Sequence, residues 1–171
     1  VRVLGKCGGY TSDIVDAITW ASGGTVSGVP ANANPAEVIN MSLGGSGTCS
    51  TTYQNAINGA VGRGTTVVVA AGNESANVST SVPANCANVV AVAAVTSAGA
   101  KASFSNYGTG IDISAPGANI PSTLNTRTPV PARPPSASYH GTSMAPPPVS
   151  RSLPLIPSVA PPPLRPPHGA R

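Results

Sequence analysis

Up to about residue 120 the chain alternates two patterns: short unbroken apolar runs, and longer stretches in which apolar positions recur every three or four residues. Residues 65–71 (TTVVVAA) run apolar between Gly64 and Gly72, as a strand buried on both faces of a parallel sheet does. Residues 89–95 (VVAVAAV) form a second such run, residues 37–43 (EVINMSL) a third that breaks at Gly44 and Gly45, and residues 1–4 (VRVL) a shorter one. Between these runs Ile14, Ile18 and Ala21 fall on one face of a helix that Thr11 or Ser12 can cap and that Gly23 and Gly24 end. Ala56, Ile57 and Ala60 share a face of a second helix, residues 51–63, stopped by Gly64. Strands alternating with helices predict an α/β fold, a mostly parallel sheet flanked by helices, in a single domain over residues 1–145. A length of 171 residues suits one domain with a real core better than two.

The pattern changes from Pro121 onward, where 15 of the 19 prolines fall. A proline inside a helix removes a backbone donor and clashes with the preceding turn, at about 3 kcal/mol each. On that ground no helix is expected through Pro146, Pro147 and Pro148. Residues 121–138 read as irregular, and residues 146–171 as an irregular proline-rich tail, disordered or in polyproline II.

Charge alters the picture little. The formal charge of +4 invites a nucleic-acid reading, but all five acids precede residue 113, together with only Arg2, Lys6, Arg63 and Lys101. The excess therefore comes from Arg127, Arg133, Arg151, Arg165 and Arg171, scattered singly through the proline-rich part. They form no patch that would track phosphates, and nucleic acid is not an expected partner. No apolar run approaches the roughly 18 to 20 residues of a membrane span, and residue 1 opens no signal peptide. Cys7, Cys49 and Cys86 lack metal-ligand spacing, so one disulfide and one unpaired thiol are expected and a zinc site is not. No cofactor is implied. Calcium finds no assignable ligands, because only a few acids remain and no oxygen cluster stands out.

Three short segments sit where a parallel α/β sheet places its chemistry, at strand ends or helix starts. In Ser42-Leu43-Gly44-Gly45 an apolar strand stops in small residues and leaves an edge with which an extended peptide could pair; alone it reads first as a plain glycine turn. In Ala70-Ala71-Gly72-Asn73 a buried strand ends in an amide side chain able to donate to a developing oxyanion, although Gly-Asn is also a common turn pair. In His140-Gly141-Thr142-Ser143-Met144-Ala145 a hydroxyl follows a glycine turn and precedes a helix start, which exposes it to the helix-end field. A lone serine there is usually only a cap.

Taken together, in this order and spacing, Ser42-Leu43-Gly44-Gly45, Ala70-Ala71-Gly72-Asn73 and Gly141-Thr142-Ser143-Met144-Ala145 closely resemble the subtilase (subtilisin-like) serine peptidase family. Residues 1–4, 11–20, 103–108 (SFSNYG) and 112–117 (DISAPG) support the likeness, which is strongest to secreted bacterial members. The resemblance implies a secreted serine endopeptidase, expected to be a monomer acting on protein or peptide substrates, with neither nucleic acid nor membrane as partner. Ser143 matches the nucleophile that forms an acyl-enzyme, and Asn73 the side-chain oxyanion donor, the Ser143 backbone N–H being the other. Ser42, Leu43 and Gly44 match the strand that pairs with the substrate backbone, Ala71 and Gly72 the opposite wall of the pocket, and Ser81, Val82 and Pro83 the neighbourhood of its floor. Cys49 and Cys86 would flank that pocket, which makes them the first choice of disulfide, with Cys7–Cys49 the runner-up. Glu74, beside Asn73, could shift the preference of a pocket otherwise lined by small residues.

Two departures bear on activity. Ser comes last in the family's Asp, His, Ser order, and the segments carrying the Asp and the His lie upstream of residue 1. His140 and His168 are poor substitutes, so the chain alone is expected to be a nearly inactive, partial domain. Its alternative is an inactive scaffold or binding module with a proline-rich tail; a nucleotide-binding reading finds no G-x-G-x-x-G after residues 1–4. Family members continue after the nucleophile into a long buried helix, whereas this chain reads Pro146-Pro147-Pro148-Val149-Ser150-Arg151. Such residues are what a GC-rich gene yields out of frame, which is our hypothesis for residues 146–171. Translating the coding sequence in the other two frames tests it: one frame should restore a helical continuation after Ala145, and restoration in neither would overturn the idea.

Overall fold

The computed structural model describes residues 1–123 and 136–155. Four parallel strands make the central sheet: β1 (Val38–Met41), β3 (Thr66–Ala70), β5 (Val89–Val95) and β6 (Ile113–Pro116), side by side in that order. Two small antiparallel pairs complete the β-structure. One joins β2 (Gly45–Ser46) to β4 (Ser81–Val82), the other β7 (Ile120–Thr123) to β8 (Ser136–Tyr139). Helices α1 (Thr11–Ala21) and α2 (Thr51–Gly62) precede β1 and β3, and a third, α3 (Pro146–Ser152), follows β8.

The unbroken apolar run of β3 is explained by cover on both faces. Val67 and Val69 point to one side, into a cluster with Ile14 and Ile18 of α1, Ala56, Ile57 and Ala60 of α2, and Ala91 of β5. Val68 points to the other, with Val92, Ala94, Ala115 and Ala145, and Val149 and Leu153 pack against that second cluster. Each fully buried Val or Ile is worth roughly 1.5 to 3 kcal/mol relative to exposure, so the alternation of these side chains sets the register of every element above and below the sheet. Tyr53 of α2 is buried in the first cluster, and burial raises its phenol above the ordinary value.

Helix ends are closed by local bonds. Ser50 caps α2, its hydroxyl accepting the Tyr53 N–H at 3.2 Å. Arg63, just past α2, donates from its guanidinium to the Ser22 carbonyl (3.1 Å) and hydroxyl (2.7 Å), tying the C-terminal ends of both helices together. At α1 the expected cap is displaced: Tyr10 holds the N-cap position without a side-chain bond, and Thr11 already lies inside the helix.

Three further expectations are corrected. Residues 1–4 form no strand, since none of the described residues pairs with them beyond a lone Gly5–Gly8 bridge at their end; a strand exists only where a neighbour completes its hydrogen bonds. The stretch 121–138 is not irregular at its ends, because residues 121–123 and 136–138 belong to the β7–β8 ladder; residues 124–135 lie outside the described residues. A helix does run through Pro146, Pro147 and Pro148. All three sit in its first turn, where backbone N–H groups have no helical acceptor in any case and where a φ preset near −65° is an advantage. Pro146 is fully buried, and α3 contacts β1, β3 and β6, so this face of the sheet is covered instead of exposed. The remainder of the tail, residues 156–171, lies outside the described residues.

The expected disulfide is present: Cys49 bonds Cys86 with Cα atoms 5.2 Å apart, while Cys7 is free and exposed. Closing a loop of sequence separation 37 is worth about 4 kcal/mol in the chain-entropy account. Truncating the fully buried Ile57 should show how much rests on the α2–sheet contact. Ile57→Ala is expected to cost about 2 to 5 kcal/mol, read from the shift of the chemical denaturation midpoint at unchanged slope.

Candidate active site

Because β1 and β3 are adjacent and parallel, with Met41 opposite Val69, their carboxyl ends finish side by side. The segment Ser42-Leu43-Gly44 leaves the first end and Ala71-Gly72-Asn73 the second. Beyond Gly44 the chain is taken up by pairing, Gly45 with Val82 and Ser46 with Ser81, so the open edge is confined to Ser42, Leu43 and Gly44. Gly72 stands in a left-handed backbone at φ +105°, and a Cβ there would run into the Asn106 amide and the Glu74 carboxylate. The glycine is therefore required twice, by conformation and by space.

Ser143 arrives from the other end of the chain. The Gly141 N–H donates to the Gly117 carbonyl at 2.9 Å, anchoring the exit of β8 to the end of β6. Residues Thr142–Met144 then form one 3₁₀ turn that leads into α3. Thr142, fully buried, docks this turn on the end of β3: its N–H and its hydroxyl both donate to Asn73 Oδ1, at 2.7 and 3.0 Å, and its hydroxyl accepts the Gly72 N–H at 3.1 Å. With Oδ1 held twice, the Asn73 Nδ2 is left without a partner among the described residues and turned to the cleft that Asn73 lines. A Cβ built on Gly141 would lie 3.7 Å from the Ser143 backbone nitrogen and 3.8 and 4.0 Å from Asn73 Oδ1 and Nδ2. The Asn73 amide and the Ser143 backbone nitrogen thus stand close together, and both residues line one cleft.

A second tie reaches Ser143 from β1. Ser42 Oγ donates to the Ser143 carbonyl at 2.7 Å and accepts from Asn40 Nδ2 at 2.9 Å, while Ser150 of α3 donates to Asn40 Oδ1 at 3.0 Å. The Ser143 hydroxyl itself has no hydrogen bond with any described residue. His140 is exposed, and its Nδ1 accepts the Asn119 N–H at 3.3 Å. His168 lies outside the described residues.

One small cleft, open to solvent and with room of about 50 Å³, gathers most of the expected residues. Leu43, Gly44, Gly72, Asn73 and Ser143 line it, with Ser81 and Val82 where the floor was expected. Ser42 stands just behind, through its bond to Ser143. Ala71 is a correction: it is fully buried, packs in the α1–α2 cluster and does not line the cleft, because its side chain alternates to the core while Ala70 takes the wall. Pro83 is likewise buried and absent from the lining.

Sequence reasoning missed two residues, Thr142 and Asn106. Asn106 is fully buried, and its amide nitrogen reaches the Ala71 carbonyl (3.0 Å), Glu74 Oε2 (2.7 Å) and Ser81 Oγ (2.7 Å). Its oxygen accepts the N–H groups of Glu74 and Ala76 at 3.0 and 2.9 Å. It thereby shapes the whole wall after β3. Its segment, residues 103–108, was conspicuous in the sequence, but nothing there says that one side chain reaches back 25 to 35 residues.

Comparison with known proteins agrees with this geometry. The profile of the Subtilase family (Peptidase_S8) matches residues 1–167, past the point at which the sequence departs into prolines. The chain belongs to that family. It is 74% identical over 161 residues to an extracellular protease of Xanthomonas campestris pv. campestris and 49% identical over 160 residues to an extracellular basic protease of Dichelobacter nodosus. Each alignment covers 94% of this chain, but only 28% and 26% of the relative, so the chain spans about a quarter of those proteins. Among solved structures, a protease from Pseudoalteromonas arctica PAMC 21717 superposes at a TM-score of 0.87 with 54% identity, over 94% of this chain and 50% of that one. A cold adapted subtilisin-like serine proteinase superposes at 0.74 with 32% identity, over 93% of this chain and 52% of that one.

Replacing Thr142 by valine keeps the shape but removes the hydroxyl that both donates to Asn73 and accepts from Gly72. Thr142→Val should cost about 1 to 3 kcal/mol through the unpaired Gly72 N–H, measured by thermal denaturation. Any labelling of Ser143 by an acylating or phosphonylating reagent should slow beyond what the lost stability explains.

Proposed function

We propose that this chain is the nucleophile-bearing part of a secreted serine endopeptidase that cleaves peptide bonds through an acyl-enzyme on Ser143. In this reading a substrate strand lies along Ser42, Leu43 and Gly44, its side chain before the scissile bond enters the cleft, and its carbonyl oxygen sits between Asn73 Nδ2 and the Ser143 N–H. Attack by the Ser143 hydroxyl turns that oxygen into an anion, which the two N–H groups stabilise more than they stabilise the planar ground state. The observation that supports the reading is that the Asn73 amide and the Ser143 nitrogen lie close together around Gly141, in residues that line one cleft. Relatives named extracellular proteases support secretion.

No base reaches the Ser143 hydroxyl from the described residues, since His140 is engaged with Asn119. Without one the hydroxyl is a weak nucleophile, so the isolated chain hydrolyses peptides feebly, and full activity needs a histidine and a carboxylate supplied from outside these residues.

A fluorophosphonate probe separates the possibilities. Covalent modification at Ser143, abolished in Ser143→Ala, is expected from the protein in which the chain is joined to its base. Asn73→Ala should then lower the rate by about 10²–10³-fold, a magnitude carried over from subtilisin, the system in which it was established. Modification at another serine, or none in that joined protein, would defeat the reading.

A further inference from the structure

The aim of the Asn73 amide depends on the backbone that carries it, and both peptide units flanking Asn73 are held by one distant residue. On the side toward β3, the Gly72 carbonyl accepts the Asn106 N–H at 3.1 Å. On the other side, the Glu74 N–H donates to Asn106 Oδ1 at 3.0 Å. Peptide units are planar, so holding the two planes that meet at a Cα holds its φ and ψ, and with them the direction in which the Asn73 side chain leaves the chain. The grip extends further along the segment: Asn106 Nδ2 donates to the Ala71 carbonyl at 3.0 Å, and Oδ1 also accepts the Ala76 N–H at 2.9 Å. Asn106 does not line the cleft, so whatever it contributes there passes through the residues it grips.

Asn106 can serve as a fixed point because it is anchored from behind. It is fully buried, and its carbonyl accepts the Ser105 hydroxyl at 3.0 Å. That hydroxyl in turn accepts the Ala94 N–H of β5 at 2.9 Å. The Ala102 N–H donates to the Ala94 carbonyl at 2.9 Å, and Lys101 Nζ to the Ser105 carbonyl at 3.1 Å, which fastens the turn before Asn106 to the end of β5. Since β5 lies next to β3 in the sheet, the position of Asn73 is referred to the strand beside the one that bears it. Shortening the Asn106 side chain would leave the Glu74 and Ala76 N–H groups without this acceptor, while the Gly72 bond, made by the Asn106 backbone, would remain.

Resting on the endopeptidase reading above, we propose that Asn106 is a positioning residue for the oxyanion donor, setting the backbone of Asn73 from the end of β5. Two holds of different kind then act on one donor. Thr142 bonds the Asn73 side chain and sets the rotation of its amide; Asn106 bonds the chain on either side of it and sets where that side chain starts.

Two measurements test this, and the first needs no reaction. In nitrogen–proton correlation spectra of the full chain, the Asn73 side-chain NH2 pair is assigned by its disappearance in Asn73→Asp. Asn106→Ser should shift or broaden that pair, and a pair left unmoved would overturn the proposal whether or not Ser143 reacts. The second is a double-mutant cycle on fluorophosphonate labelling of Ser143, in the protein in which the chain is joined to its base. Asn106→Ser should label about tenfold more slowly, the scale on which a slightly misplaced group acts. In the Asn73→Ala background the same substitution should change the rate less than about twofold, because the residue through which it acts is gone. A merely structural role would slow labelling alike in both backgrounds, and that result, or no slowing in the first, would overturn the proposal. Should Asn106→Ser fail to fold, Asn106→Thr, which fills more of the site, takes its place in both measurements. Failure here is distinct from failure of the endopeptidase reading. A protein that labels at Ser143 with equal slowing in both backgrounds keeps its proposed reaction and loses this role for Asn106; one whose Asn73 amide moves in Asn106→Ser and that never labels keeps the clamp and loses the reaction.

Discussion

The bond pair from Thr142 to Asn73 is the joint on which the site depends. One acceptor oxygen, Asn73 Oδ1, receives both the N–H and the hydroxyl of Thr142, across a sequence separation of 69. That single contact fastens the turn before α3 onto the end of β3. It fixes which way the Asn73 amide faces, because an amide whose oxygen is held twice must present its nitrogen on the opposite side. It also brings the Ser143 backbone nitrogen beside that amide. Loosening it would leave every side chain in place by sequence and none by geometry, and oxyanion stabilisation depends on donors already positioned before charge develops.

Everything beneath the joint serves to hold its two halves still. On one half, β3 is immobilised by helices packed against one face and by α3 against the other, and Asn106 braces the residues that follow it. On the other half, Gly141 is hung from Gly117 at the end of β6, and Ser42 holds the Ser143 carbonyl from the end of β1. Ends of three neighbouring segments therefore meet at one serine. This is the usual advantage of a parallel sheet, whose carboxyl edge presents several loops at one place. The disulfide adds a local clamp, linking the start of α2 to the segment just after β4, where the cleft has its Ser81–Val82 wall.

The proline run shows how composition misleads when position is ignored. Three prolines in a row argue against a helix interior, and that argument is sound for an interior. At a helix start the same residues forfeit nothing, because the N–H groups they lack would have found no helical partner. The 3₁₀ turn carrying Ser143 delivers the chain to Pro146 with Ala145 already at φ −80° and ψ −38°. Val149 and Leu153 then fall onto the second core cluster, so a short helix occupies the face that seemed destined to be bare.

Much was legible from the chain alone. Unbroken apolar runs marked β3 and β5 almost to the residue, periodic alanines and isoleucines marked both early helices, and three short motifs named Ser143, Asn73 and the Ser42–Gly44 segment, because strand burial, helix amphipathy and glycine-dependent turns are local consequences of residue type. Less visible were β6, β7 and β8, whose mixed residues, with a proline in β6 and in β7, become strands only because a neighbour offers matching hydrogen bonds. Which wall Ala70 or Ala71 faces, that Thr142 steers Asn73, that Asn106 grips Glu74, and that His140 turns to Asn119 were settled by tertiary structure alone. The physical reason is the same in each case: these are directed contacts across 21 to 69 residues, and a hydrogen bond's partner is chosen by where folding puts it, not by the residue that donates.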